Sequence, residues 1–496
     1  MADASTEIPA APLPARVQVL VIGSGAGGAA TAAALAERGY EVLVLEEGPD
    51  LDTNTLTTNS PEAIARLYRN GGVTPVLGAP NIAHVEGRCV GGSTEVNSGF
   101  WHRPPDEVYA RWARIAHVAD FSPTVLQPYF EQLERALSVS YLSAPEPPPS
   151  SRVFRRGIER LGWRYEEVPR CQSPNDGVSA FAPGNKQSMQ RTFIPRARAA
   201  GARIVSDCQV LRLEHDGGRI TGAVVQRTTA DGRDPTRLHA GTVFVCCGPL
   251  QTAALLRRSG ITHNVGHNLC LHPMIKAAAI FAEPIRADAS VLPIYQVKEF
   301  APDIAIGGSV CTPGFLAMHL ADSWPATAPV LQQWDRAAMF YAATCSASRG
   351  SVRVLPGVAD GVLVRYRLTA TDRANISAGL ARLGEILFAA GATVVYPSLR
   401  TPAVLTSVEQ CRAFLEQPLP AAVMSLSSMH AFSSCPMGEA RDLCATDSFG
   451  KVWDVANLYV NDASLLPDSP GVNPQATVMA VALRNVDHFA AGRPRR

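Results

Sequence analysis

The stretch SSMHAFSSCPMGE, residues 427–439, holds His430 and Cys435 five positions apart in a run of small residues. Such a pair could be a base with a thiol nucleophile, half of a metal site, or something else, and the stretch alone leaves these open. Histidine suits proton transfer because its unperturbed pKa lies near neutrality. Other candidates carry weaker patterns. His272 stands in an LHP element and reads as a hydrogen-bonded structural histidine, while His84, His239 and His319 belong to no motif and read as surface or loop residues. Cys246 and Cys247 fall in an apolar run, where adjacent side chains point to opposite faces, so they read as small core residues rather than a redox pair. Cys435 and Cys444 have no further partners at ligand spacing, so no metal site is expected.

A second chemistry is written near the start, in VQVLVIGSGAGGAATAAALAERGYEVLVLEEGPD, residues 17–50. Gly23-x-Gly25-x-x-Gly28 follows an apolar run and opens an Ala/Leu-rich segment that ends near Gly39. The first glycine permits a tight turn, the second lets a pyrophosphate approach the backbone, and the third lets helix pack on strand. Glu46 closes the next apolar run, 18 residues after Gly28, where a carboxylate can accept from ribose hydroxyls. Strand, glycine turn, helix, strand and acid together indicate dinucleotide binding without choosing between NAD and FAD.

These residues need elements to hold them. PDEVYARWARI and LQPYFEQLERALSV have helical periodicity, and ARIVSDCQVLRLEHDGGRITGAVVQRT predicts a hairpin about Asp216-Gly217-Gly218. GTVFVCCGPLQTAALLRRSGI, 241–261, repeats the strand, glycine and helix order of the N-terminus. From about 275 to 425 apparent strands (RGSVRVL, GVLVRYRLTA) and a helix (ANISAGLARLGEILFAAG) indicate a second, sheet-based unit. The last 50 residues return to strand, Pro/Gly loop and helix, so the first unit is discontinuous in sequence. With 496 residues, 46% hydrophobic and 18% charged, the chain reads as a globular protein too long for one simple core, either two or three domains or one large composite enzyme. A net charge of +1 gives no reason to expect nucleic acid. Eleven scattered cysteines without C-x-x-C, and no targeting segment or membrane span, indicate reduced thiols and a cytoplasmic setting.

Several stretches resemble signatures of the glucose–methanol–choline (GMC) oxidoreductases, which bind FAD. GRCVGGSTEVNSGFWHRP is similar to the loop that runs beside the flavin in that family. By resemblance Arg88, Gly91, Gly92, Ser93 and Asn97 are FAD neighbours, and consecutive glycines independently suit a phosphate or flavin edge. VFVCCGPLQTAALLRRSGI looks like a second signature with Gly248 in the FAD loop, and VGHNLCLHP like a third. NLYVNDASLLPDSPGVNPQATVMAVALRN resembles the C-terminal signature. The resemblance makes Asp462 and Ala463 FAD contacts, Asp462 toward the ribityl chain or the pyrophosphate loop, and Val210 a strand position meeting adenine. Ala26, between the glycines, joins the same set.

What the resemblance implies is a fold and a reaction. The fold is α/β: a Rossmann-like FAD domain (15–119, 196–275 and 440–490) with an α+β, sheet-based substrate domain (120–195 and 276–439). The reaction is oxidation of a CH–OH group to a carbonyl. His430 would take the hydroxyl proton, flavin N5 the hydride, and Asn473, 43 residues on, would donate to the substrate oxygen. Pro474 then begins a helix whose N-terminus would face the flavin. Val96 stands where some members carry a histidine linked to the cofactor, and His102 is not at that position, so FAD is expected to be non-covalent. The partners implied are a small-molecule alcohol and oxygen or another electron acceptor, and the GVNP ending leans toward the long-chain alcohol and sterol oxidase branch. A flavin-containing lyase of the same fold, cleaving cyanohydrins, is the alternative; an NAD(P)H-using flavoprotein would need a second GxGxxG, which the sequence lacks. Oligomeric state and the particular alcohol carry no signature.

Overall fold

The computed structural model describes residues 13–52, 56, 60–141, 147–173, 185–227, 234–289, 294–357 and 361–492. Val19 to Ile22 in strand Arg16–Ile22, and all of Val42–Leu45, are runs of buried aliphatic residues, as strands covered on both faces require. They sit at the centre of a parallel sheet ordered Arg203–Val205, Val42–Leu45, Arg16–Ile22, Thr236–Val245, Leu458–Val460. In chain order this is 3-2-1-4-5, the doubly wound arrangement of dinucleotide-binding sheets. On the side away from Arg16–Ile22, Thr236–Val245 serves two partners. Its first half pairs antiparallel with the hairpin Cys208–Asp216 and Arg219–Arg227 (Gly222 beside His239), its second half parallel with the C-terminal strand (Val243 beside Leu458).

Helix Ala26–Ala36 is almost entirely alanine and glycine and is buried nearly all round. That lack of side-chain bulk lets it pack between the sheet and the last helix, Gln475–Ala491. Asn461 fastens the junction, its Nδ2 donating to Thr31 Oγ1 at 2.8 Å and to the Ala482 carbonyl at 3.1 Å.

The second sheet has eleven strands, mostly antiparallel. Its order begins Ser351–Val354, Val362–Arg365, Thr74–Leu77, Ile82–His84, Leu426–Ser428 and Met274–Phe281. It continues through Ala337–Thr344, Ile304–Ser309, Tyr295–Val297 and Tyr165–Glu167. Ala392–Pro397 joins beside Met274–Phe281. Helix Ala370–Ala389, started by a reciprocal capping box between Thr369 and Asp372, covers one face of this sheet. Gly379 makes the approach close, since a Cβ there would stand 2.9 Å from that of Ala342. The opposite face is left to a cavity.

The two sheets exchange segments more than the domain boundaries predicted from sequence allow. Residues 74–84, assigned from sequence to the nucleotide unit, are strands of the second sheet, pairing with Val364 on one side and Leu426 on the other. Helix Pro123–Ala136, assigned to the substrate unit, packs on Gln475–Ala491, and Phe193–Ala199, which the predicted boundary at 195/196 divides, packs on Ala26–Ala36. A short strand has no local signal for which distant edge completes its hydrogen bonds, so the sequence could not place these pieces. Residues 142–146, 174–184, 290–293 and 358–360 of the predicted second unit lie outside the described residues. Among the described residues no helix is long and apolar enough to cross a membrane, and none of the eleven cysteines is in a disulfide.

Candidate active site

One cavity of about 920 Å3 runs between the two sheets. Its first wall is backbone. Gly23 has φ +95°, and a Cβ there would lie 2.4 Å from the Cys246 carbonyl oxygen. A Cβ on Gly28 would lie 2.0 Å from the Gly23 carbonyl oxygen, so the third glycine is a packing requirement one layer behind the cavity surface. Gly25 caps the helix without a side-chain hydrogen bond and, with Ala26, faces the cavity. The second glycine loop meets it there: Gly92, φ +57°, would place a Cβ 2.8 Å from Gly25 Cα. Two backbone loops thus meet with no side chain between them, and the uncapped start of an eleven-residue helix opens beside them. This concave, donor-rich surface fits a pyrophosphate.

Glu46 hangs below that cradle. Its Oε2 accepts from the Ser24 amide (3.1 Å) and hydroxyl (2.7 Å), and its Oε1 from the Gly48 amide (2.9 Å). Burial raises its pKa, with these hydrogen bonds opposing. Val210 lines the same end. Asp462 lines the cavity too, but its oxygens are engaged by the protein: Oδ2 accepts from the Gly248 amide (2.9 Å) and Thr252 Oγ1 (2.6 Å), Oδ1 from Ser464. It therefore ties the Gly248 turn to the end of Leu458–Val460, beside Ala463. Ser93 lines the cavity and accepts from the Gly87 amide (3.0 Å), while Asn97 bonds Gln475 Oε1 (2.7 Å), bridging the glycine loop to the last helix.

Arg88 and Gly91 stand apart from these. The Arg88 guanidinium donates to Glu47 Oε1 at 2.7 Å, and Arg69 pairs with both Glu47 and Glu86, so Arg88 stands behind a charge network whose other three members line the cavity. Gly91 lies behind the wall as well, its amide donating to Ser24 Oγ at 3.0 Å.

His430 and Asn473 meet where the two sheets' walls join. Asn473 Nδ2 lies 3.1 Å from His430 Nε2, and both line the cavity with Gly471, Val472 and Pro474. Pro474 is the residue before helix Gln475–Ala491, whose start faces the same space. Burial, reinforced by His84, lowers the pKa of His430 to about 4, so its imidazole is neutral at neutral pH. A neutral ring has one donor and one acceptor. Nε2 accepts from the Asn473 amide, so Nδ1 carries the proton and donates to His272 Nδ1 at 3.0 Å. His272 Nε2 in turn donates to Ser469 Oγ at 2.6 Å. The Ser469 loop is held by Arg111 and Trp112, both donating to Asp468.

His272 is hydrogen-bonded, as read from sequence, and its partner is His430, whose tautomer it fixes. Two other histidines escape the sequence reading. His84 is buried in a strand, bonds the Ser428 carbonyl through Nδ1 at 3.1 Å and lines the cavity, so it is not the surface residue expected. His319 lines the far end from helix Pro313–Leu320 and bonds the Tyr396 carbonyl (2.8 Å), likewise contrary to expectation. His239 is exposed on a strand, as read. Cys435 is buried, its backbone bonded to Ser464, with burial raising its thiol pKa above the usual range, and it does not meet His430. Tertiary pairing brings these histidines in, His84 through its strand's register with Leu426–Ser428 and His319 through its helix, and nothing in their neighbouring residues signals it. The described residues contain no group of three or more His, Cys, Asp or Glu placed to hold a metal.

Comparison with known proteins agrees with this architecture. Family models for the N-terminal and C-terminal domains of GMC oxidoreductases match residues 64–274 and 346–482, and one for an NAD(P)-binding Rossmann-like domain matches 21–71. An uncharacterized GMC-type oxidoreductase of Sinorhizobium fredii is 39% identical over 470 residues, 94% of this chain and 93% of the relative. A long-chain-alcohol oxidase of Arabidopsis thaliana is 26% identical over 93% of this chain and 67% of its own. The crystal structure of pyridoxine 4-oxidase from Mesorbium loti superposes with a TM-score of 0.75 at 19% identity, covering 96% of this chain and 100% of that one. The glycine cradle, the histidine–asparagine pair at the junction and these matches lead to one conclusion: the chain belongs to the GMC oxidoreductases, FAD-binding enzymes that act on CH–OH donors.

Proposed function

We propose that the protein oxidises an alcohol to a carbonyl compound with His430 as base and Asn473 as hydrogen-bond donor to the substrate oxygen. The observation that supports this most is the 3.1 Å pairing of Asn473 Nδ2 with His430 Nε2 on the cavity wall. A substrate hydroxyl inserted between the two atoms satisfies both, its oxygen accepting from the amide and its proton donated to the imidazole. As that proton moves to Nε2, the developing alkoxide keeps the amide hydrogen bond, an interaction that strengthens toward the transition state. Bound FAD supplies the acceptor for the hydride that leaves the carbinol carbon. The residues that would hold it are the Gly23–Gly28 and Gly91–Ser93 loops, Glu46 and the start of helix Gln475–Ala491.

His272 keeps Nδ1 of His430 occupied, so the lone pair presented to substrate is the one at Nε2. Val96, beside Asn97 on the wall, has no nucleophilic atom, which supports non-covalent FAD. The neighbouring reading, a flavin-bearing lyase, keeps the same base but leaves the flavin oxidised throughout. The test is anaerobic mixing of the purified, flavin-loaded protein with a panel of primary and secondary alcohols. Loss of the flavin absorbance is the expected result; an oxidised spectrum with every alcohol removes the proposal.

A further inference from the structure

The substrate-facing side of the second sheet carries a polar row across five paired strands. Glu166 stands beside Gln296, Gln296 beside Gly307, Gly307 beside Tyr341, and Tyr341 beside Lys276. Residues in register on one face form a continuous surface, and the four side chains of this row line the cavity. Gly307 lets the tyrosine lie across it, since a Cβ there would stand 2.8 Å from Tyr341 Oη and 3.0 Å from its ring.

Most of the row is internally satisfied. Lys298 Nζ pairs with Glu166 Oε1 at 2.9 Å and donates to Gln296 Oε1 at 2.8 Å, while Gln296 Nε2 donates to Tyr341 Oη at 3.1 Å. Tyr341 keeps its own hydroxyl proton to donate. Lys276 differs: its backbone is fixed by Ser398 (3.0 Å), but among the described residues its ammonium has no hydrogen bond or ion pair. It stands in the middle of MIKAAAIF, an otherwise apolar strand that begins two residues after His272. His102 adds a second unmet group, 7% exposed, with no hydrogen bond to either ring nitrogen; Glu166 Oε1 is 3.7 Å from its Nε2.

A buried ammonium without a counter-charge is costly, and a ligand anion relieves that cost. Resting on the alcohol-oxidation reading of the same site, we propose that the substrate is an alcohol that also bears a carboxylate, its hydroxyl between Asn473 and His430 and its carboxylate on Lys276. One cation beside a neutral donor, the Tyr341 hydroxyl, with His102 elsewhere on the same cavity lining, suits a monoanion better than a phosphate dianion, which favours clustered guanidiniums. A purely alkyl substrate would leave Lys276 and His102 without partners on the cavity wall.

Calorimetric titration of the flavin-loaded protein tests this with benzoate, benzamide and phenyl phosphate. Benzoate is expected to bind about tenfold or more tighter than benzamide, the scale of one hydrogen bond to a charged group. Lys276→Met and Lys276→Gln should remove that preference and Lys276→Arg should keep it. In anaerobic mixing, the preference in kcat/KM for 4-(hydroxymethyl)benzoate over benzyl alcohol should fall by a similar factor in Lys276→Met. Equal binding of benzoate and benzamide, a preference that survives both neutral variants, or tighter binding of phenyl phosphate overturns the inference. If benzyl alcohol still bleaches the flavin in those cases, alcohol oxidation stands without the carboxylate. If benzoate binds through Lys276 yet neither alcohol bleaches the flavin, the anion subsite stands and alcohol oxidation falls.

Discussion

The nucleotide wall of the cavity and its substrate wall are built by opposite means. On the nucleotide side the surface is backbone, and a methyl group at Gly23 or Gly92 would strike main chain, the Cys246 carbonyl at 2.4 Å and Gly25 Cα at 2.8 Å. On the substrate side the backbone is an ordinary antiparallel sheet, and the surface is the set of side chains it happens to present: Glu166, Gln296, Tyr341 and Lys276. The first wall has no freedom to vary without losing its shape. The second can change residue by residue while its strands stay paired. A fold of this kind can therefore keep one cofactor and exchange substrates, and the histidine–asparagine pair sits at the seam between the two walls.

That contrast can be broken most strongly at Gly28. Gly28→Ala drives a methyl group into the Gly23 carbonyl at 2.0 Å. Overpacking of this kind costs about 1–3 kcal/mol, and here it also splays the cradle. The purified variant should carry little or no flavin by absorbance and melt at lower temperature than wild type. Full flavin content would show that the third glycine is not a packing requirement.

Asn473→Ala comes next. It removes one donor to the substrate oxygen and should lower kcat by about 10²–10³-fold, the scale of an oxyanion-hole donor, with flavin content kept. Steady-state kinetics on a spectrally normal variant checks it, and an unchanged kcat would place the oxygen elsewhere. A smaller effect is expected on the substrate wall. Gly307→Ala pushes on Tyr341 Oη at 2.8 Å, a flexible side chain rather than backbone. It should shift KM by about tenfold or less while flavin content stays normal; loss of flavin would mean the two walls are not independent.

The mildest probe is pH. Burial, then His84, lowers the pKa of His430 to about 4, and the base works in its neutral form. The acid limb of kcat/KM should therefore lie well below the ordinary histidine value of 6.5, with activity lost only as pH falls toward about 4. Stability has the same sign. The unfolded chain binds the proton first, so the contribution of neutral His430 and His272 is present above 6.5 and declines as pH falls below it. An acid limb at or above 6.5 would contradict the buried, neutral base.

The same contrast explains what the sequence disclosed. The nucleotide wall is local: Gly23, Gly25, Gly28 and Glu46 lie within one strand–helix–strand unit, and their spacing carries the geometry. The C-terminal signature is local in the same way, with Asn473 and Pro474 leading directly into the helix that their pattern predicts. The substrate wall is assembled by register between strands up to 175 residues apart, as with Glu166 and Tyr341, so no local pattern marks it. His84 departs from expectation for that reason, since its cross-strand surroundings bury it, and His319 does so because its helix is set against the distant Tyr396 carbonyl. Arg88 is a similar case, because its partner Glu47 lies 41 residues away on another element. Lys276 did leave a trace: one lysine within MIKAAAIF has no reason to be there for packing alone.

The central claim is that His430 takes the substrate proton at the seam of the two walls. The most direct measurement is the rate of anaerobic flavin bleaching by a reactive alcohol, compared between wild type and His430→Ala at equal flavin content. Loss of a general base predicts a rate lower by about 10²–10⁴-fold with the oxidised flavin spectrum intact. Bleaching at the wild-type rate in His430→Ala would contradict the account.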